Sequence, residues 1–220
     1  MRPAQEDVPR RPSRGFRAAR CAACWLPEAL CVCAHLPRLA VRTRVVLVQH
    51  RREAVSSTNT GRLAVRMLEG AEVRVQGRLR AEEAAPLPEG RRILLFPRGD
   101  ARVLGPEDAT GEGVVLLVPD GTWAQARRMV HRAPDFAGVE IATLPPAAPS
   151  RYRLRCHARE GALCTLEAIA QALAILEGGD AGPVVASALL GALERFVARG
   201  LLARAGRLVG EDRELGFRGQ

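Results

Sequence analysis

The stretch VVLLVPDGTWAQARRMVHR, residues 114–132, decides the fold. It opens with five consecutive apolar residues. Such a run is too short for a globular helix and is typical of a strand buried on both faces, with Pro119 marking its end. A helical pattern follows, and Thr122 and Gln125 at its start have the spacing of a capping box. The stretch therefore predicts a buried strand, a tight turn and a capped helix.

The turn itself is Asp120-Gly121. In an open α/β sheet, ligands bind outside the carboxyl ends of the strands, and a helix N-terminus favours anions, so an acid and a glycine at this place predict a site. Asp120 has two interpretations. It could act directly in catalysis or substrate binding, or it could cap the helix that follows it, as turn aspartates often do. Trp123, the next large side chain, is interpreted as a core anchor between helix and sheet in preference to a platform for stacking a base.

The rest of the chain alternates strand and helix patterns. Four more apolar segments predict strands, at residues 43–48, 72–75, 93–96 and 139–144. Apolar periodicity predicts helices from about residue 57 to Gly70, over 165–176, and from Pro183 to about Arg199. Asn59 and Thr60 are interpreted as helix caps rather than as ligands of a substrate. The alternation predicts a mostly parallel α/β sheet.

The formal charge of +9 and the sequence pI near 10.6 favour a polyanionic partner, with nucleic acid the obvious one. The chain contains no lysine, however, so all 33 basic residues are arginines. Codon bias in a GC-rich genome produces the same Arg-rich, Ala-rich and Gly-rich composition. Charge alone thus favours nucleic acid without excluding a compositional origin.

The chain is expected to form one main domain with small additions. Residues 1–20 are rich in arginine and proline and predict a flexible basic arm, residues 21–40 a small metal-binding unit, residues 41–200 the main domain, and residues 201–220 a polar tail. There is no apolar leader, and no run reaches the roughly 18 residues that a membrane span needs. We therefore expect a reduced, cytoplasmic protein without a membrane partner, and a monomer is slightly favoured.

The amino-terminal cysteines form a C-x2-C-x6-C-x-C array within thirteen residues. Four soft sulfurs at this density suit a tetrahedral Zn²⁺, and without a secretory signal disulfides are not expected. A redox or fortuitous cluster is the alternative, and His35 is a reserve ligand. Four thiolates leave no open coordination position, so the metal would be structural. The expected ligands are Cys21, Cys24, Cys31 and Cys33.

Several short motifs, taken together and in order, resemble those of the DTW-domain family of tRNA-uridine aminocarboxypropyltransferases. They are Asp120-Gly-Thr-Trp123, the cysteine array, Thr58-Asn-Thr60, Leu95-Phe-Pro97, Ser150-x-Tyr-x-Leu-Arg155 and Leu163-x-Thr-Leu-Glu-Ala168. The resemblance covers roughly residues 21–178. It implies a SPOUT-like α/β fold with a knotted carboxyl-terminal region, and S-adenosylmethionine as the donor of a 3-amino-3-carboxypropyl group.

The resemblance also implies a donor site built from loops at the strand ends and from the knotted loop. The residues it assigns there are Leu95, Phe96, Pro97, Pro119, Asp120, Gly121, Thr122, Trp123, Tyr152, Arg155, Leu163, Cys164 and Thr165. Within this set Tyr152 and Arg155 could hold the donor's carboxylate or an RNA phosphate. In the family motif a serine usually stands at the position of Cys164. Cysteine is a poor replacement for serine as a helix cap, so the cap of the following helix is in doubt, although Thr165 could supply the hydroxyl instead.

Two acids are candidates for catalysis. Uridine N3 is a poor nucleophile while protonated, so a carboxylate within hydrogen-bond reach would help, and Asp120 is the first candidate. Glu167 is the second, although it also reads as a first-turn acid that complements the helix dipole. The arginines expected to contact tRNA phosphates are Arg51, Arg52, Arg127, Arg128, Arg151 and Arg153. The alternatives are a SPOUT-type RNA methyltransferase and a non-catalytic RNA-binding protein with a zinc knuckle.

Overall fold

A six-stranded sheet forms the centre of the computed structural model, which describes residues 18–76, 86–109, 113–146, 148–155 and 162–207. The strands are β1 (Arg44–His50), β2 (Glu72–Gln76), β3 (Arg91–Leu95), β4 (Arg102–Val103), β5 (Val114–Asp120) and β6 (Glu140–Thr143). Their spatial order is β2-β1-β5-β3-β6-β4. Every pairing in this sheet is parallel, which confirms the predicted mostly parallel α/β architecture.

The strand of residues 114–120 lies at the middle of this sheet. β5 pairs with β1 on one side and with β3 on the other. Residues 114–118 are at most 3% exposed, as a strand buried on both faces should be. Pro119 does not end the strand as predicted but lies within it, opposite Val48, and the strand ends one residue later at Asp120.

Helices cover both faces of the sheet. They are α1 (Gly61–Met67), α2 (Trp123–Arg132), α3 (Thr165–Leu176) and α4 (Ala181–Arg204). One apolar cluster joins α1, α3 and α4 to one sheet face, and a second joins α2 to the opposite face. Leu26, Leu30 and Val32 of the cysteine-rich segment are buried, and Leu26 and Val32 belong to the first cluster, so this segment packs on the main domain.

Some element boundaries differ from the predictions. β1 continues to His50, so Gln49 belongs to the strand, and α1 begins only at Gly61. The two residues of β4 were missed because a segment that short has no readable alternation. α4 extends to Arg204, into the predicted polar tail.

α4 also corrects the expectation about membrane spans. By length and composition it could cross a membrane, which the sequence analysis did not anticipate. One of its faces is nevertheless buried, with Leu189, Leu193 and Phe196 at most 1% exposed in the core cluster that includes α3. The core helix of a globular domain has the same composition.

Parts of three predictions lie outside the described residues. They are residues 1–17 of the basic arm, residues 208–220 of the tail and residues 156–161 of the carboxyl-terminal region, which was expected to be knotted. The knotted topology therefore stays a prediction.

Candidate active site at the carboxyl edge of the sheet

A cavity of about 660 Å³ lies at the carboxyl edge of the sheet. The ends of β3, β5 and β6 form its floor, and the first residues of α2 and α3 form its sides. This volume falls within the roughly 300–1,000 Å³ that is usual for small-molecule sites. The cavity thus occupies the place at which an open parallel sheet binds ligands.

All thirteen residues that the resemblance assigned to the donor site line this cavity. They come from four separate parts of the chain, at residues 95–97, 119–123, 152–155 and 163–165. The lining also includes residues that were not assigned, among them Thr58, Asn59, Thr60, Arg127, Thr143, Leu144, Pro145, Pro146 and Ser150. The fold therefore brings the assigned residues together, while their binding of the donor stays a prediction.

Asp120 is the centre of a hydrogen-bond network at the cavity floor. Its side chain is 2% exposed. Oδ2 accepts hydrogen bonds from Gln49 Nε2 at 2.9 Å and from Asn59 Nδ2 at 2.6 Å, and Oδ1 accepts one from Thr165 Oγ1 at 2.7 Å. One carboxylate thus joins β1, β5, the loop before α1 and the start of α3.

The alternative interpretation of Asp120 as a helix cap is wrong. α2 is capped by Thr122, whose Oγ1 accepts the backbone N–H of Gln125 while the Gln125 side chain accepts the backbone N–H of Thr122. This is the predicted capping box. Since Thr122 already satisfies the helix end, the Asp120 carboxylate is left for the network and the cavity.

A second carboxylate, that of Glu53, extends the network away from the floor. Glu53 is 6% exposed and its Oε2 accepts hydrogen bonds from Asn59 Nδ2 at 3.3 Å and from Arg155 Nη2. Arg155 also donates from Nε to Thr58 Oγ1 and from Nη2 to Ser56 Oγ, each at 3.2 Å. These contacts use Nε and Nη2 of the guanidinium, and the side chain as a whole is 36% exposed at the cavity.

Gln49 and Glu53 of this network were not among the residues predicted from the sequence. A position at or just after the carboxyl end of a strand was the available signal for both. Asn59 combines its two interpretations, because its Oδ1 accepts the backbone N–H of Arg62 near the start of α1 while its Nδ2 reaches Asp120. It acts as a cap and as a member of the site.

Tyr152 closes one side of the cavity. Its hydroxyl donates to the backbone carbonyl of Thr58 at 2.5 Å. Burial raises the pKa of Tyr152 to about 12, so the hydroxyl stays protonated and keeps donating at neutral pH. The bond ties the segment after Pro146 to the loop before α1.

Glu167 lies behind the residues that line the cavity and bonds to the segments that carry them. It is 6% exposed, and its carboxylate accepts hydrogen bonds from Ser150 Oγ at 2.6 Å, from the backbone N–H of Arg151 at 2.8 Å and from the backbone N–H of Cys164 at 2.8 Å. The last bond is one half of a capping box. Glu167 does not line the cavity, so these contacts describe a group that positions the segment around Ser150.

The start of α3 differs from expectation in one further respect. Thr165 does not supply a capping hydroxyl, because its Oγ1 donates to Asp120. Burial raises the pKa of the Cys164 thiol to about 12, so this side chain is neutral at physiological pH. The Thr165 hydroxyl therefore belongs to the network around Asp120 and not to the cap of α3.

The prediction that Trp123 anchors the core is wrong. Its side chain is among the exposed large apolar groups, with 37% of the residue accessible at the cavity rim. The ring lies 6.3 Å from that of Phe96, tilted by 55°. Trp123 is the first residue of α2, one turn before the buried Ala126, and it lies at the cavity beyond the core that Ala126 and Met129 contact.

The six arginines expected to contact RNA are all exposed. Arg127 lines the cavity, and Arg151 pairs with Glu194 at 2.7 Å. Burial lowers the pKa of His50, and the charges of Arg52, Arg51 and Arg128 lower it further. Arg51 and Arg52 directly follow His50 at the carboxyl end of β1, the strand beside β5, and Arg128 lies in α2.

The four amino-terminal cysteines form a compact cluster. Their sulfur atoms all lie within 4.8 Å of one another, with Cys21 to Cys33 at 3.7 Å and Cys24 to Cys31 at 3.8 Å. A tetrahedron with Zn–S bonds of about 2.3 Å has edges of about 3.8 Å, so the spacing fits zinc. His35 is exposed and is not one of the clustered groups.

A family model described as the DTW domain matches residues 18–201 of this chain. The match covers most of the sequence and includes the cavity and the cysteine cluster. The chain belongs to the DTW-domain family. The family that the motifs predicted is thereby confirmed.

Two curated relatives of this DTW-domain protein carry the name tRNA-uridine aminocarboxypropyltransferase 2. That of Drosophila melanogaster is 32% identical over 170 residues, covering 73% of this chain and 68% of the relative. That of Macaca fascicularis is 28% identical over 181 residues, covering 78% of this chain and 60% of the relative. The chain thus spans about three fifths to two thirds of their length.

Among solved structures, the SAM-dependent rRNA:acp-transferase Tsr3 from Vulcanisaeta distributa is similar to this DTW-domain chain. It is 22% identical and has a TM-score of 0.42, with 79% of this chain and 93% of that chain covered.

Proposed function

We propose that this protein transfers the 3-amino-3-carboxypropyl group of S-adenosylmethionine to N3 of a uridine in tRNA, and releases methylthioadenosine. The observation that carries the proposal is the cavity itself, in which four distant segments of the DTW motifs surround the buried carboxylate of Asp120. The names of the two relatives agree with this activity.

The cavity offers different surroundings to the two ends of the donor. Residues 95–97, 119–123 and 163–165 supply apolar side chains and backbone groups, which suit an adenosine. At the end near Tyr152, Arg155 is held by Glu53 through Nη2, which leaves its Nη1 for an incoming carboxylate. We assign the adenosine to the first region and the amino-acid end to the second.

The transfer replaces one bond by another at the γ-carbon of the donor's methionine part. The bond from this carbon to the sulfonium sulfur breaks, the bond from uridine N3 to the carbon forms, and the sulfur leaves with its electron pair as neutral methylthioadenosine. The methyl carbon is also activated, so selection of the γ-carbon depends on holding N3 in line with it at about 3 to 3.5 Å. Fixing both ends of the donor provides that orientation.

We assign to Asp120 the role of accepting the proton from uridine N3. An ionised carboxylate offers about four acceptor positions, and Gln49, Asn59 and Thr165 occupy three. One remains for an N–H that enters the cavity, and a base within hydrogen-bond reach is what this reaction needs. Glu167 is assigned a positioning role, because its contacts hold the segment that carries Tyr152 and Arg155.

Transfer from donor labelled at a single position tests the proposed function. Unmodified tRNA is incubated with the protein and with S-adenosylmethionine labelled either in the methyl group or in the carboxyl group, and its nucleosides are analysed by mass spectrometry. We expect the carboxyl label in a modified uridine and the methyl label in methylthioadenosine. The methyl label in RNA would show a methyltransferase, and no label in RNA would favour a binding protein.

The arginines beside the cavity should make tRNA binding depend strongly on salt. Arginine-to-phosphate contacts release counterions, so the logarithm of the affinity falls with that of the salt concentration. Replacing Arg52 or Arg128 by Ala should weaken binding and reduce the slope by about one unit. Arg92→Ala is the matched control, since this exposed arginine lies in β3 towards its amino end, away from the cavity. Equal slopes for all variants would place the RNA elsewhere.

A further inference from the structure

Besides its buried apolar side chains, the cysteine-rich segment contacts the main domain through the side chains of Trp25 and Arg62. The guanidinium of Arg62, in the first turn of α1, lies over the ring of Trp25 with its Cζ 5.4 Å from the ring centroid. That separation is within the roughly 6 Å over which a cation and an aromatic face attract each other. Trp25 directly follows the cluster residue Cys24.

The position of the Trp25 ring depends on the folded cysteine turn. Trp25 has a φ of +64°, and among the described residues it is the only one other than glycine with a positive φ. Its backbone N–H donates to the Cys21 carbonyl at 2.9 Å. A non-glycine residue keeps this conformation only where its surroundings impose it. The closed cysteine turn is what imposes it here.

Arg62 connects Trp25 to the loop before α1. Its Nη2 donates to the backbone carbonyl of Ala54 at 2.5 Å and approaches that of Glu53 at 3.5 Å. Its Nη1 is buried and has no hydrogen-bond partner among the described residues. The face of the Trp25 ring is therefore a contact that attracts this partly buried charge, beside the carbonyl oxygens that Nη2 reaches.

The same loop orients Arg155. The Glu53 side chain accepts from Arg155 Nη2, and the same loop supplies Ser56 and Thr58 to that guanidinium. A displacement of the Glu53 backbone would therefore displace the group assigned to the donor's carboxylate. The contacts form a continuous chain from Trp25 through Arg62 and Glu53 to Arg155.

We propose that Arg62, braced by the ring of Trp25, is a positioning residue that holds the Glu53 loop and thereby sets the place of Arg155 in the donor site. The cysteine-rich segment then supports binding of the amino-acid end of the donor. The inference rests on the proposed function only in assigning that end to Arg155. It predicts that loss of the ring weakens recognition of the carboxylate and leaves that of the adenosine intact.

Two ligands that differ by the aminocarboxypropyl group test this prediction. Binding of S-adenosylmethionine and of methylthioadenosine to the full chain is measured by calorimetry without RNA. Trp25→Leu should lower the affinity for S-adenosylmethionine about fivefold to tenfold, in line with the loss of one partly buried cation–π contact. The affinity for methylthioadenosine should stay within about twofold of the wild-type value. Trp25→Phe, which retains an aromatic face, should restore most of the affinity.

Arg62→Lys provides a second variant, because it keeps the charge but loses the planar fork. It should show the same selective loss. The zinc content of each variant is measured alongside, to establish that the cysteine cluster is intact. An equal loss for both ligands, or no loss for either, would overturn the proposal. Failure of the wild-type protein to bind S-adenosylmethionine would instead contradict the proposed function.

Discussion

Asp120→Asn should lower the rate of aminocarboxypropyl transfer by about 10²-fold to 10⁴-fold, the range typical of a lost general base. The substitution is well matched to its surroundings. The remaining oxygen can still accept from Gln49 and Asn59, and the new amide can donate to the hydroxyl of Thr165, which accepts as well as donates. We expect a loss of stability of only about 1–2 kcal/mol from weaker, uncharged hydrogen bonds.

Single-turnover transfer and thermal unfolding on the same preparations would measure both effects. Asp120→Ala is the comparison, because it leaves the buried amides of Gln49 and Asn59 without their acceptor and should cost about 1–3 kcal/mol more. An Asn variant that transfers the group at nearly the wild-type rate would reduce Asp120 to an organising role.

Replacing Cys24 and Cys31 together by Ser should remove the zinc and destabilise the whole domain. The cluster holds a segment whose Leu26, Leu30 and Val32 are at most 3% exposed. Burial of each such side chain contributes about 1.5–3 kcal/mol. Opening the segment would therefore lose on the order of 5 kcal/mol, which is comparable with the total stability of many domains.

Metal analysis and unfolding curves of protein purified under reducing conditions would establish this effect. Cys164→Ser is the control, since this cysteine lies at the cavity, away from the cluster, and should leave one zinc per chain. Wild-type protein without zinc would contradict the metal assignment. A double variant that unfolds at the wild-type temperature would show that the segment is held by packing alone.

The elements with strong local signals were predicted well. The five apolar residues of β5, the Thr122 capping box and the apolar helix α3 each appear where the sequence placed them. Boundaries were less accurate, and β4 was missed, because a strand of two residues is defined by its partner β6 and not by its own composition. Local pattern thus identified the core elements but missed the short edge strand β4.

The residues of the site were largely predicted, but some of their roles were not. Asp120 was expected to be either a base or a cap, and its three side-chain donors come from residues 45 to 71 positions away. Trp123 was predicted to anchor the core, yet it is the first residue of α2 and is partly exposed at the cavity. Such outcomes depend on which element packs beside the residue.

By itself the sequence determined the features that depend on neighbours along the chain. These are the buried central strand, the capped helix after it, the cluster of four cysteines and the family motifs. Only the tertiary structure decided what Asp120, Glu53 and Arg155 contact, and how Trp25 reaches Arg62. The physical reason is that propensity and capping act over a few residues, whereas hydrogen bonds among buried side chains form only after the sheet order has brought distant segments together.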